Sequence, residues 1–129
     1  MPYQKFTEGF RNLLAWQEAH QLTLRIYTVT ASFPKEERYG LVAQMRSAAS
    51  SIGAQLAEGS RMATAQHRKL YYDRAYGSTA EVDNFLELTH DIHYLSDENY
   101  VELLERTNRV SFLIHKLSAS CVRKVQVPT

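Results

Sequence analysis

The chain has 129 residues, of which 44% are hydrophobic and 22% are charged, and its net charge is +1. This length and composition predict one globular domain and exclude two independent ones. No segment approaches the roughly twenty consecutive apolar residues of a transmembrane helix, and the first ten residues lack the apolar core of a signal peptide. The single cysteine, Cys121, cannot form an internal disulfide and is expected to pack as a small apolar side chain. We therefore expect a cytoplasmic protein without a membrane segment.

The first apolar pattern predicts a helix over residues 11–32. Its apolar positions alternate at spacings of four and three, and they are Ala15, Ala19, Leu22, Ile26, Val29 and Phe33. Trp16 and Tyr27 widen this face, and Pro34 ends the helix because proline cannot continue it. A second helix is predicted over residues 37–59, where Gly59 is a typical helix terminator. Its core positions are Leu41, Met45, Ala48, Ile52 and Leu56.

The third predicted helix spans residues 64–95, with Thr64 as its N-cap. Its most regular stripe, predicted to face the core, consists of Tyr71, Arg74, Ser78, Glu81, Phe85, Leu88, Ile92 and Leu95. The fourth spans residues 97–122 and is capped by Ser96 or Asp97. Its core positions are Leu103, Thr107, Val110, Ile114, Leu117 and Cys121. Residues from about Lys124 onward are expected to form a flexible tail.

Four amphipathic helices with short connections predict the fold class: an all-α, up-down-up-down, left-handed four-helix bundle. This bundle is expected to be a single domain over residues 1–129.

Polar side chains interrupt the predicted core stripe in the first half of the third helix. An arginine and a glutamate inside a bundle are tolerated only when they are paired and hydrogen-bonded. We therefore predict a buried polar layer that sets the helix register, made of Arg46, Glu58, Arg74, Ser78 and Glu81. Gly77 is expected at a close approach of a neighbouring helix. The alternative is a ligand or catalytic pocket lined by Glu58, Arg46 and Glu81.

Six short motifs carry a resemblance to a known family. They are Trp16-Gln17, Phe33-Pro34, Tyr39-Gly40-Leu41, Gln44-x-Arg46, Ala57-Glu58-Gly59 and Gly77-Ser78-x-x-Glu81. From about Phe10 to Cys121 the chain resembles the bacterial four-helix bundle family named for the 23S ribosomal RNA intervening sequence protein. Two residues depart from the family pattern: Gln55 stands where asparagine is usual, and Arg74 where an apolar residue is expected.

The resemblance implies a small cytoplasmic bundle that assembles as a homo-oligomer, specifically a pentamer, without enzymatic activity or a cofactor. A related protein, the accessory subunit of diversity-generating retroelements, binds nucleic acid and a reverse transcriptase. For this chain the resemblance therefore implies RNA or DNA, or a nucleic-acid-processing protein, as a partner. A module that acts only through a protein partner is the alternative.

Charge is segregated along the chain. Residues 81–105 contain eight acidic and no basic residues, whereas residues 106–129 contain five basic and no acidic residues. In an up-down bundle both termini and the second turn share one end, which would gather Lys5 and Arg11 with the predicted nucleic-acid-binding residues Arg61, Arg68, Lys69, Lys116, Arg123 and Lys124. The other end would gather Glu36, Glu37, Asp91, Asp97, Glu98 and Glu102. A basic end of this kind is suited to binding phosphate backbones.

A metal site is not expected. Glu87 and His90 match half of the Glu-x-x-His pattern of di-metal bundles, but the predicted register turns both outward and no second copy of the pattern occurs. A second apolar stripe beside the predicted seam of the third helix is the expected subunit interface, and it consists of Tyr72, Ala75, Val82, Leu86 and His93.

Overall fold

The structure, a computed structural model, describes residues 9–123 and contains four long α-helices. A short 3-10 helix, Gly9–Asn12, precedes α1, which spans Leu14–Thr30. A second 3-10 helix, Lys35–Glu37, leads into α2, Leu41–Ser60. The remaining helices are α3, Ala65–Asp91, and α4, Asp97–Arg123. The predicted tail from Lys124 lies outside the described residues.

The helices form an antiparallel bundle in which each packs against its neighbours in the chain and α1 also packs against α4. Arg25, late in α1, pairs with Glu102, early in α4, whereas the earlier Glu18 pairs with the later Arg109. This reversal shows that α1 and α4 run in opposite directions. The predicted all-α four-helix bundle is confirmed, and its left-handed supercoil stays a prediction.

The connection between α1 and α2 is longer than predicted. The Glu37 N–H donates to the Pro34 carbonyl at 2.9 Å, closing a tight 3-10 turn. Gly40, the N-cap of α2, has φ −108° and ψ −108°, which is not helical. The second helix therefore starts at Leu41 rather than at residue 37.

The third helix ends earlier than predicted because its last turn closes in a Schellman motif. His93 has a left-handed backbone, with φ 66°, its N–H donates to the His90 carbonyl, and the Tyr94 N–H donates to the Thr89 carbonyl. Helical geometry cannot continue through a left-handed residue, so the helix stops at Asp91.

Both predicted N-caps of the later helices are confirmed. Thr64 Oγ1 accepts a hydrogen bond from the His67 N–H at 3.1 Å, and Ser96 Oγ accepts one from the Asn99 N–H at 3.1 Å. Each cap satisfies a backbone donor that the first turn of a helix would leave without a partner.

The core confirms the predicted seams of α1, α2 and α4 almost completely, since only Leu41 and Leu117 are half-buried rather than buried. Four threonines lie inside this core. Three of their hydroxyls donate to the carbonyl four residues earlier, Thr30 to Ile26, Thr89 to Phe85 and Thr107 to Leu103, and the Thr79 hydroxyl donates to the Tyr76 carbonyl three residues earlier. Each of these buried threonine hydroxyls is therefore satisfied within its own helix.

The predicted core stripe of α3 is wrong. The helix is rotated about its own axis, so that its buried positions lie about one residue away from the predicted ones. The residues of α3 that are buried are Tyr72, Ala75, Ser78, Thr79, Val82, Leu86 and Thr89. Of the predicted stripe only Ser78 within the helix and Leu95 beyond its end are buried, while Arg74, Glu81 and Leu88, and Ile92 just after the helix, are exposed. The observed rotation keeps both charges in water, which avoids the cost of burying them.

The stripe predicted as a subunit interface is therefore part of the core. Tyr72, Ala75, Val82 and Leu86 are all buried inside the single chain, and His93 lies beyond the end of the helix and is exposed.

The close approach between α2 and α3 occurs at Gly59, not at Gly77. A Cβ at Gly59 would lie 2.8 Å from Tyr72 Cε1 and 2.9 Å from Tyr71 Cβ, so the missing side chain lets the two helices meet. A Cβ at Gly77 would meet no atom within 4 Å.

Candidate nucleic-acid interface

The basic end of the bundle is built from the α2–α3 turn, the start of α1 and the last turns of α4. Arg61 follows α2 directly, Arg68 and Lys69 lie at the start of α3, and Lys116 lies in the last third of α4. The backbone of Arg123 is the last described position of α4, and Lys5 and Lys124 lie outside the described residues. Antiparallel packing therefore places Arg61, Arg68, Lys69, Lys116 and the backbone of Arg123 at one end of the bundle.

Arg68 connects the two sides of the α2–α3 turn. Its Nη1 donates to the carbonyl oxygens of Met62 at 3.0 Å and Ala63 at 3.3 Å. These bonds fix the guanidinium over the turn, beside the exposed Arg61. The charge of Arg68 thus contributes to the basic end while its side chain stabilises the turn.

Lys69 is the predicted residue whose charge is neutralised. Its Nζ lies 2.7 Å from Asp73 Oδ2, one helical turn away, and the Ser118 hydroxyl donates to Asp73 Oδ1 at 2.5 Å. Partial desolvation raises the pKa of Asp73, but the hydrogen bonds from Lys69 and Ser118 outweigh it and hold this pKa below its usual value. Asp73 is therefore ionised at neutral pH and links α3 to α4.

Lys116 and Arg11 lie over aromatic rings. Lys116 Nζ is 5.5 Å from the centre of the Phe112 ring, and Arg11 Cζ is 4.5 Å from the centre of the Phe10 ring. Phe112 is 60% exposed. Exposed aromatic rings interleaved with cations are typical of surfaces that stack bases and contact phosphates. Phe112 was not predicted from the sequence, although its spacing of four residues from Lys116 in a helix indicates that the two side chains are neighbours.

The predicted buried polar layer is wrong. Glu58, Arg74 and Glu81 are exposed, and of the five residues only Ser78 is buried, where it accepts a hydrogen bond from the Ser51 hydroxyl at 2.8 Å. The layer is absent because the rotation of α3 turns Arg74 and Glu81 toward solvent, Glu58 is exposed on α2, and Arg46 bonds to α1 instead.

The alternative pocket of Glu58, Arg46 and Glu81 is not formed either. Arg46 faces α1, donating to Thr30 Oγ1 at 3.0 Å and to the Tyr27 carbonyl at 3.2 Å. Glu81 lines an open groove of about 510 Å³ between α2 and α3. Glu58 is twelve residues beyond Arg46, or about 18 Å along the helix. The three side chains do not converge on one substrate.

The opposite end of the bundle carries the acidic residues at the α1–α2 and α3–α4 turns. The Tyr100 hydroxyl donates to Glu87, and this bond, with partial desolvation, raises the pKa of Tyr100 to about 12. His90 Nε2 lies 2.7 Å from Asp97 Oδ1, and the His90 ring stacks on Tyr100. Between residues 9 and 123 no group of three His, Cys, Asp or Glu side chains is placed to hold a metal ion.

None of the helices in the described part of the chain combines the length and apolarity needed to cross a bilayer.

Comparison with known proteins agrees with this architecture. A family model described as 23S rRNA-intervening sequence protein matches residues 11–116. The fold is similar to a crystal structure of a protein of unknown function from the S23 ribosomal protein family of Bacteroides thetaiotaomicron, with a TM-score of 0.73 and 17% identity over 81% of this chain and 98% of that one. No curated protein sequence matches the chain.

Proposed function

Because the chain belongs to the 23S rRNA-intervening sequence protein family, we propose that it is a non-enzymatic, homo-oligomeric protein whose basic end binds RNA or DNA. The observation that carries this proposal is the charge of that end. Among the described residues, no carboxylate lies within 4 Å of the charged groups of Arg61, Arg68 or Lys116. Cations without acidic partners, with the exposed ring of Phe112 beside Lys116, favour a polyanion with stacking bases as the ligand.

Binding of this kind is expected to depend on salt rather than on sequence. The described basic residues project from helices and a turn at the end of a bundle, and the chain contains no zinc finger or helix-turn-helix motif for groove readout. Phosphate contacts release counterions, so the affinity falls steeply as salt rises.

The test is fluorescence anisotropy of a labelled single-stranded RNA and a duplex DNA at about 50 and 200 mM salt. The double variant Arg61→Glu with Lys116→Glu is expected to weaken binding at least about tenfold and to lower the salt slope by about 1 to 2. A single-charge control is Arg109→Glu, which reverses a charge on α4 two turns before Lys116 and breaks its ion pair with Glu18; it is expected to have a much smaller effect on binding. Equal affinity of the double variant and the native protein, or no binding by the native protein at low salt, would refute the proposal.

We further propose that the oligomer, specifically a pentamer, forms through the outer face of α3 beside α2. Leu88 and Ile92 are each 41% exposed there and Leu70 is 46% exposed. Gly77, on the same face, leaves open space for a close neighbour. The same face also carries the exposed Arg74 and Glu81, and the apolar side chains that one chain leaves uncovered between these charges are suited to burial against another copy.

The oligomer is tested by measuring mass in solution. A pentamer has five times the 14.8 kDa mass of one chain. Leu88→Glu is expected to lower the measured mass, whereas the control Leu24→Glu, at a similarly exposed leucine of α1, is expected to leave it unchanged. A native protein that sediments as a monomer at all concentrations would refute this part of the proposal.

A further inference from the structure

A second concave site lies at the opposite end of the bundle from the basic end. It is a pocket of about 630 Å³ between the last turn of α1, the 3-10 turn and the first turns of α2. The residues that matter for its chemistry are Phe33, Lys35, Arg38, Tyr39, Val42 and Arg46. Three of the six sequence motifs that carry the family resemblance meet here, and neither the proposed nucleic-acid end nor the proposed oligomer face uses them.

Three cations line this pocket without acidic partners. Within residues 9–123 no carboxylate lies within 4 Å of the charged groups of Lys35, Arg38 or Arg46. The acidic residues of the same turn do not line the pocket, and one of them, Glu37, accepts a hydrogen bond from the Tyr94 hydroxyl at 3.1 Å. The pocket is therefore a local positive site within the acidic end, and concave sites of one charge concentrate ligands of the opposite charge.

The Arg46 guanidinium is held in place before any ligand arrives. Its Nε donates to Thr30 Oγ1, its Nη2 donates to the Tyr27 carbonyl, and its Cζ lies 4.5 Å from the centre of the Tyr27 ring. These contacts use one part of the guanidinium, and Nη1 makes no hydrogen bond within the described chain. A fixed guanidinium with a free donor binds phosphate oxygens at little cost in side-chain entropy.

Tyr39 adds a flat surface to this cationic site. It is 89% exposed, more than any other large apolar or aromatic side chain among those described, and Arg38 Cζ lies 6.0 Å from its ring centre. Phe33 and Val42 are buried and supply the apolar part of the lining. An exposed ring next to cations is the arrangement on which a nucleobase stacks while its phosphate is held nearby.

We propose that this pocket binds a nucleotide, with the phosphate held by Lys35, Arg38 and Arg46 and the base stacked on Tyr39. The ligand is a free mononucleotide or one nucleotide of a single strand, which present the same phosphate and base. The site is separate from the basic end and does not rest on the function proposed for that end.

The test is isothermal titration of the full chain with adenosine 5′-monophosphate at low salt. Saturable binding of one nucleotide per chain is expected, tighter than the binding of adenosine, which lacks the phosphate, and of inorganic phosphate, which lacks the base. The double variant Lys35→Gln with Arg38→Gln is expected to bind the nucleotide at least about tenfold more weakly, because charge-assisted hydrogen bonds are lost. Both side chains are exposed, so the fold is expected to be retained.

Two further variants separate the roles. Tyr39→Ala is expected to weaken nucleotide binding several-fold while leaving the binding of inorganic phosphate unchanged. Arg61→Gln with Lys116→Gln removes the same charge at the other end of the bundle and is expected to leave nucleotide binding unchanged. If the Arg61→Gln, Lys116→Gln variant no longer binds RNA but still binds the nucleotide, the two sites are distinct.

Three results would overturn the proposal: no saturable nucleotide binding at millimolar concentration, equal binding of adenosine and its monophosphate, or an unchanged affinity in the Lys35→Gln, Arg38→Gln variant. Competition with a 5′-phosphorylated trinucleotide then identifies the source. If the trinucleotide displaces the bound nucleotide at a lower concentration than the mononucleotide does, the natural ligand is one nucleotide of a strand. If it displaces the bound nucleotide less effectively, the natural ligand is a free mononucleotide.

Discussion

The α2–α3 interface and the α1–α4 interface of this bundle depend on different interactions. Where α2 meets α3, the helices approach at Gly59, and the Ser51 hydroxyl donates to Ser78 at 2.8 Å. Where α1 meets α4, Arg25 Nη2 lies 2.7 Å from Glu102 Oε1, and a second ion pair lies nearer the basic end. The first interface depends on a missing side chain, which neither pH nor salt alters, and the second depends on charges, which both alter.

The ion pairs of the α1–α4 interface are nevertheless expected to contribute little to stability, because their side chains are partly exposed. The hydrogen bond from Arg25, opposed by partial desolvation and supported by Arg106, lowers the pKa of Glu102 to about 2. The side chains of Arg25 and Glu102 are 32% and 35% exposed, and solvent screens pairs of this kind. We therefore expect a steric change at the α2–α3 contact to cost more than the loss of a charge at the α1–α4 contact.

The largest effect is expected for Gly59→Ala. The added Cβ would lie 2.8 Å from Tyr72 Cε1 and 2.9 Å from Tyr71 Cβ. Tyr72 is buried and Tyr71 Cβ is attached directly to the backbone of α3, so the helices must separate. We expect the free energy of unfolding to fall by about 2 kcal/mol, measured by urea denaturation. A variant as stable as the native protein would contradict this prediction, because it would show that α2 and α3 can move apart at this contact with little cost in free energy.

Apolar periodicity alone could not predict which face of α3 is buried. Two stripes, one containing Phe85, Leu88 and Ile92 and the other containing Tyr72, Val82 and Leu86, are both apolar at helical spacing. Periodicity identifies the helix but cannot choose between two faces that differ by one residue. The cost of burying charge does distinguish them, because only the first stripe also contains Arg74 and Glu81.

The next effect in size is expected for Glu102→Gln. The pKa of Glu102 lies at about 2 in the folded chain against 4.5 for a free side chain. A depressed pKa stabilises the fold above pH 4.5, and this contribution is lost as the pH falls toward 2. After allowance for solvent screening we expect a loss of about 1 kcal/mol at pH 7.

The same variant is expected to lose less stability than the native protein between pH 4.5 and 2, as followed by urea denaturation at each pH. Glu105→Gln is the matched control, since Glu105 is exposed on the same helix and forms no ion pair within the described residues. Identical pH profiles for Glu102→Gln and the native protein would show that the ion pairs of Glu102 contribute nothing to stability.

The basic end was predictable from neighbouring residues in the chain and from the up-down order of the helices, which brings Lys116 to the same end, but side-chain partners between helices were not predictable. Arg61, Arg68 and Lys69 surround one turn, and the ion pair of Lys69 with Asp73 follows from a spacing of four in a helix. Arg46 was predicted to face Glu58 and Glu81, whereas it bonds to α1. Its position beside the core residue Met45 is compatible with either neighbouring helix, and only the packing of the whole bundle decides between them.

The smallest effect, and one of opposite sign, is expected for Gly77→Ala. Both Gly59 and Gly77 lie within helices, but no atom lies within 4 Å of a Cβ at Gly77. Alanine there restricts the unfolded chain and favours the helix without a clash, so we expect a gain of about 0.5 to 1 kcal/mol. The measurement is made in the Leu88→Glu background, so that association through α3 does not contribute. A loss of stability in that background would mean that α3 needs glycine at position 77 for a reason internal to the chain. A gain of stability in the Leu88→Glu background, together with a lower mass in solution for Gly77→Ala in the chain that keeps Leu88, would show that Gly77 packs against a second copy. Comparison of Gly59→Ala with Gly77→Ala therefore distinguishes a glycine that is needed for packing within one chain from a glycine that is needed for packing between chains.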